Sequence, residues 1–307
     1  MNEIELNVFL FADVAMTSKV AVVTGSNKGI GLAIVRALCK QFEGDVYLTA
    51  RDLGRGEEAV KILTSEGLKP KFQQLDITDV SSITSAAAFF RETYGGVDIL
   101  VNNAGIAFKP ATPFSIQAEV TLKTNFFATR DVLTHFMPLI KSGGRVVNVS
   151  SFMGSLALNL CSEEFQQRFR SEDITEDELV GLMERFVEKT KTGEHKKDGW
   201  PELVYGVSKT GLTTLSMILA RRLSKERPHD NVANAPFAPL GAGPGWVRTD
   251  MAGDKAPKSP DEGAVIPVYL ALLPPGATEP HGCFVTEKGD SAVVKSFTLK
   301  LGLRELS

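Results

Sequence analysis

Five short β-rich runs, each separated from the next by a longer stretch with helical spacing, constrain this chain most. The runs are KVAVVTG (19–25), DVYLTA (45–50), KFQQLDI (71–77), DILVNNAG (98–105) and GRVVNVSS (144–151). Between the first four lie GIGLAIVRALCKQF, GRGEEAVKILTSEG and VSSITSAAAFFRETYG, whose apolar residues recur at the three- and four-residue spacing of a helix face. Alternation of this kind is satisfied by crossover units, so the pattern predicts an α/β fold: a doubly wound parallel sheet with helices on both faces. Neither an internal repeat nor a linker divides the 307 residues. One domain is expected over 18–287, with an N-terminal arm at 1–17 and a C-terminal tail at 288–307.

Residues 152–203 interrupt the alternation with a helical insertion that contains ITEDELVGLMERFVEKTK. Thr175 and Glu178 have the spacing of a capping box, and Leu179, Leu182, Met183, Phe186 and Val187 form an apolar stripe. Such a stripe needs a surface to cover, and packing on the parent domain is the expected use.

Charge and cysteine usage exclude several partners. With a net charge of −3 the chain has no basic footprint for nucleic acid or an anionic membrane. No run approaches the ~20 apolar residues that cross a bilayer. The acidic start and the interrupting Asp13 in MNEIELNVFLFADVAM are unlike a secretory signal. Three scattered cysteines suit a reducing, cytoplasmic setting, and no Cys or His spacing resembles a metal site.

TGSNKGIG follows the first strand and opens the first helix. Gly25 permits the tight turn, Gly29 lets backbone approach a pyrophosphate, Gly31 allows close helix packing, and free N–H groups at the helix start attract the anion. The expectation is a Rossmann-like dinucleotide site. Cofactor choice is read after the second strand, in TARDLGR: Arg51 and Arg55, with Lys28, can hold a 2′-phosphate by charge-assisted hydrogen bonds, which favours NADPH/NADP. Asp52 is the competing signal, because an acidic residue at the strand end would serve the ribose of NAD.

In VYGVSK, Tyr205 and Lys209 are four residues apart and share one helix face. A phenol with a pKa of ~10 donates a proton poorly at neutral pH, and a nearby ammonium is expected to draw it toward the working range.

Taken in order, TGSNKGIG, NNAG, KTNFF, NVSS, YGVSK and PGWVRTDM closely resemble the short-chain dehydrogenase/reductase family, from about Ser18 to Glu287. Within it, LTARD, NNAGIAFK, ITEDELVGLM, GWP and TDMAG are similar to the monomeric NADPH-dependent carbonyl reductases, as is the insertion before the tyrosine. The resemblance implies Tyr205 as general acid and Ser151 as hydrogen-bond donor to the substrate oxygen. It implies Lys209 as ribose ligand and tuner of Tyr205, and Asn125 as support for a water-linked proton path. Cofactor contacts are implied for Asn27, Lys28, Ile30 and Arg51, for Asp76 and Ile77 at the adenine, Asn103 at a ribose, and Val247 and Thr249 near the nicotinamide. Met153 and Trp246 match pocket positions suited to quinones, aromatic aldehydes and ketones, or steroid and prostaglandin ketones. The alternatives left open are an NAD(P)-linked hydroxysteroid or alcohol dehydrogenase and a catalytically impaired nucleotide-binding module.

One segment departs from that family. From Ala235 to Gly245 nine of eleven residues are Ala, Pro or Gly, a loop composition where a central strand is due. The atypical insertion is placed at 236–243.

Overall fold

Val20–Val23 forms β1, and all four of its side chains are fully buried. A strand covered on both faces belongs in the middle of a sheet. The computed structural model describes residues 18–108, 111–227, 231–235, 246–274, 276–288 and 291–295, and shows this arrangement. The arm at 1–17, the segment 236–243 and most of the tail lie outside the described residues.

The parallel strands are β1, β2 (Asp45–Ala50), β3 (Lys71–Gln74), β4 (Val97–Asn102), β5 (Ile140–Val149), β6 (Asn231–Ala235) and β7 (Phe284–Lys288). The sheet runs β3-β2-β1-β4-β5-β6-β7 and ends on β8 (Ser291–Lys295), antiparallel to β7. Alternate side chains go to opposite faces. Val20, Val22, Leu100 and Val146 enter one core; Ala21, Val23, Ile99, Val101 and Val147 enter the other.

Helices α1 (Gly29–Gln41) and α2 (Leu53–Ser65) cover the second face, and α3 (Val80–Tyr94) the first. Also on the first face, α4 (Phe114–Leu122) passes through a π-helical turn, Lys123–Ala128, into α5 (Thr129–Phe136). The insertion supplies α6 (Phe152–Asn159), α7 (Glu163–Arg170) and α8 (Glu176–Lys191). Then follow α9 (Val204–Glu226) and, returning to the second face, α10 (Pro260–Ala271).

The stripe on α8 packs on the parent domain. Leu179, Met183 and Phe186 are buried, with Leu182 and Val187 packed against the same core. A Cβ on Gly211 of α9 would lie 2.6 Å from Met183 Sδ, so α8 rests directly on α9. The expected capping box is only half made. Thr175 Oγ1 accepts from Glu178 N at 3.2 Å, but the Glu178 carboxylate pairs with Arg168, which ties α8 to α7 instead.

One boundary needs correction. The fifth strand starts at Ile140 rather than 144 and carries an irregular register between its pairings with Val97 and Ile99, which hides it from a pattern search. Within the segment expected as a tail, Ser291–Lys295 pairs with β7 from Phe284↔Lys295 to Lys288↔Ser291. The two strands are joined by only two residues, a length that suits a hairpin. β6 keeps a five-residue register with β5, from Arg145↔Asn231 to Val149↔Ala235, immediately before the unusual segment.

Candidate active site

The winding of the sheet reverses between β1 and β4, and in doubly wound sheets ligands bind beyond the C-terminal ends of the strands at such a switch point. Gly25 leaves β1 at φ 57°, and a Cβ there would lie 2.8 Å from Ala104 Cα, so the chain after β4 touches the turn. Gly29, also at φ 57°, faces Thr249, whose Cγ2 would be 3.2 Å from an added Cβ. At Gly31 a Cβ would fall 2.5 Å from Asn103 Nδ2 and 2.7 Å from Ser26 Cα. The helix start therefore packs closely against the turn and Asn103, with no space for a side chain at Gly31. Asn103 braces the turn by donating to Thr24 O (3.0 Å) and Gly25 O (2.9 Å).

The residues fit a dinucleotide phosphate. The N-cap of α1, Lys28, makes no side-chain cap, and the first turn has no acidic residue, so its N–H groups are open to an anion. Asn27 is half-buried and Ile30 buried beside them. Arg51 and Arg55 are exposed past β2. Asp52, the ambiguous residue, caps α2: its Oδ1 accepts from Arg55 N at 2.8 Å. Lys28, expected to join the arginines, pairs instead with Asp250 at 2.5 Å. Asp76 Oδ1 accepts from Thr78 N and Oγ1 at 2.9 and 2.7 Å, which shapes the turn after β3, and Ile77 beside it is buried.

The second cluster forms where α6 crosses α9. Neither Gly154 nor Gly206 has room for a Cβ: the first would meet the Lys209 carbonyl carbon at 2.9 Å, the second Met153 O and Ala157 Cβ at 2.7 Å. Thr210 Oγ1 bonds Gly154 O (2.7 Å) and Gly206 O (3.1 Å), which fastens the crossing. Ser151, the N-cap of α6, accepts from Met153 N at 3.1 Å, and Tyr205 lies in the first turn of α9. In the insertion, Phe165, Phe169 and Phe186 enclose Trp200 at ring separations of 4.2, 5.9 and 5.3 Å, which fixes the chain just before Tyr205.

Both members of the pair are buried. Lys209 Nζ lies 5.6 Å from the Tyr205 ring centroid and donates to Val149 O at 2.7 Å. Burial pushes the Lys209 ammonium down to about 7. Burial also pushes the Tyr205 phenol well above its ordinary value, with the Ser151 hydrogen bond pulling the other way. In this structure burial dominates the Tyr205 phenol, and the same loss of solvent weakens the charge of Lys209.

Asn125 sits in the π-helical turn. It exchanges hydrogen bonds with Ile106 (2.8 and 2.9 Å) and donates to Ser208 Oγ at 3.1 Å. A Cβ on Gly105 would be 3.2 Å from Asn125 Oδ1 and 3.7 Å from Lys209 Nζ, so both side chains reach the same loop. Val247 is buried, while Met153, Trp246 and Thr249 are half-buried. Gly154, Gly206 and Asp250 escaped the sequence reading. Their one signal was the glycine inside YGVSK, a residue that weakens a helix and so marks a packing need.

Fold and site together define a dinucleotide-binding oxidoreductase, and the chain belongs to the short-chain dehydrogenase/reductase family. The family profile described as short chain dehydrogenase matches residues 19–162. Carbonyl reductase [NADPH] 1 of Pongo abelii and that of Homo sapiens are each 64% identical over 271 residues, which is 88% of this chain and 96% of theirs. Among solved structures, salutaridine reductase from Papaver somniferum gives a TM-score of 0.77 at 29% identity, over 87% of this chain and 99% of its own.

Proposed function

We propose that this chain reduces carbonyl compounds to alcohols with NADPH, using Ser151, Tyr205 and Lys209. The observation that supports the reading is the glycine-tight crossing that packs α6, capped by Ser151, onto α9, which carries Tyr205 and Lys209. Gly25, Asn27, Gly29, Ile30 and Gly31 form the phosphate cradle, and Lys28, Arg51 and Arg55 supply the cations that a 2′-phosphate needs. Asp76, Ile77 and Asn103 border the adenosine side; Val247 and Thr249 border the nicotinamide side. When bound, NADPH supplies a hydride to the carbonyl carbon.

The protein's part concerns the oxygen. As negative charge gathers there, Ser151 stabilises it with a hydrogen bond and Tyr205 delivers the proton. The raised phenol keeps that proton at neutral pH until the oxygen's basicity rises. Lys209 orients the ribose and, through it and Asn125, returns a proton to Tyr205. Met153 and Trp246 offer apolar surface to quinones, aromatic aldehydes and ketones, or larger steroid and prostaglandin ketones.

The chain acts as a cytoplasmic monomer on this reading. The insertion lays α8 over α9, a helix surface that would otherwise be free for a subunit contact. No helix among the described residues is long and apolar enough to cross a membrane. A panel of carbonyl substrates, followed by nicotinamide absorbance with NADPH and NADH, tests the function. Stoichiometric NADPH binding without turnover would indicate a binding module, and equal use of both cofactors an NAD-linked dehydrogenase. Sedimentation at micromolar concentration tests the monomer.

A further inference from the structure

Lys28 and Asp250 are 222 positions apart, yet the ammonium donates a 2.5 Å bond to the Asp250 carboxylate. The backbone that carries the carboxylate is braced. Thr249 O accepts from Ala252 N and Gly253 N at 3.0 and 2.8 Å, and Arg248 N donates to Lys258 O at 2.8 Å, closing a tight turn around Asp250. That turn is seated on the glycine loop. A Cβ on Gly263 of α10 would meet Val247 Cγ2 at 2.7 Å and Ile30 Cδ1 at 3.3 Å, so α10 clamps both segments together. Lys28, on a flexible four-carbon stem, can swing away from the carboxylate. It reaches past Gly29, where Thr249 comes within 3.2 Å of the missing Cβ.

A carboxylate and a phosphate are rival anions for one ammonium. We propose that Asp250 is a specificity-determining residue: it holds Lys28 at the dinucleotide groove and yields it only to a 2′-phosphate, and so sets the affinity for NADPH relative to NADH. The inference rests on the reading of Lys28 as a phosphate contact. A cofactor without the 2′-phosphate offers Lys28 no replacement for Asp250. One with it must first detach the lysine, so the pair tempers NADPH affinity and keeps the site exchangeable. The two side chains are 61% and 77% exposed, which makes the pair weak and screened by salt.

The test is a fluorescence titration of NADPH and NADH at low ionic strength with the wild-type chain, Asp250→Asn, Lys28→Ala and the double variant. Asp250→Asn tightens NADPH by about two- to fivefold, the range of an exposed ion pair, and raises the ratio of the NADH to the NADPH Kd. The gain disappears when Lys28 is alanine and fades at about 0.5 M salt. If Lys28→Ala leaves NADPH affinity intact, the phosphate role of Lys28 falls and the competition falls with it. If Lys28→Ala weakens NADPH while Asp250→Asn moves both cofactors equally or neither, Lys28 keeps its role and Asp250 is refuted as a discriminator.

Discussion

Lys209 donates a 2.7 Å hydrogen bond to the backbone carbonyl of Val149, the last residue of β5. The bond anchors α9 to the end of the central sheet, and it holds an ammonium where water is excluded. Burial lowers its pKa from 10.5 to about 7. Between those values the unfolded chain carries more protons at this position than the native one, so the stability of the cofactor-free protein rises with pH. The contribution is complete above 10.5 and lost as pH falls through 7. Lys209→Met therefore removes a slope of up to about 1.4 kcal/mol per pH unit across that window. Denaturant titrations of both proteins from pH 7 to 10 check it, and a pH-independent difference between them would contradict it.

Tyr205→Phe keeps the ring that fills the α6–α9 junction and deletes the proton donor. Turnover falls by about 10²–10⁴ while NADPH still binds. Ser151→Ala removes one of the two donors to the substrate oxygen and costs about 10²–10³ in kcat. Steady-state kinetics beside cofactor titration separates chemistry from binding. Wild-type turnover by Tyr205→Phe would end the proposed mechanism.

Arg51 and Asp52 are neighbours with different tasks. Loss of a charge-assisted hydrogen bond of about 1.5–3 kcal/mol makes Arg51→Asp bind NADPH about 10- to 150-fold more weakly, with little loss for NADH. Asp52→Ala leaves cofactor preference unchanged and lowers stability by about 0.5–2 kcal/mol, because its carboxylate caps α2 at Arg55 N. A switch toward NADPH in Asp52→Ala would show that the carboxylate faces the ribose after all.

The alternation of strands and helices was legible because strands buried on both faces leave apolar runs, and β2 falls on DVYLTA residue for residue. The glycine loop was legible because its φ values and close approaches admit little else. What escaped depends on contacts between distant segments. KSGG shows no strand pattern before Arg145, yet it lies within β5. Nothing near Glu178 announces that Arg168 will take its carboxylate from the expected cap. Spacing put Tyr205 and Lys209 on one helix face, but spacing carries no burial, and burial raises the phenol and lowers the ammonium.

Gly154 controls how closely Ser151 approaches Tyr205. An added Cβ would stand 2.9 Å from the Lys209 carbonyl carbon and 3.0 Å from Thr210 N, and backbone atoms cannot rotate out of its way. Gly154→Ala must therefore lift α6 from α9 and carry Ser151, at the head of α6, with it. Overpacking of this kind costs about 1–3 kcal/mol of stability. A shift of about 1 Å at a reacting centre costs on the order of a hundredfold in rate, so kcat falls roughly ten- to a hundredfold while the NADPH Kd changes little. Gly181→Ala in α8 is the control, since nothing lies within 4 Å of its added Cβ. There the helix gains about 0.5–1 kcal/mol and turnover is unchanged. Thermal unfolding with single-turnover kinetics on both variants decides the matter: wild-type kcat in Gly154→Ala would mean that the crossing does not set the distance on which the reaction depends.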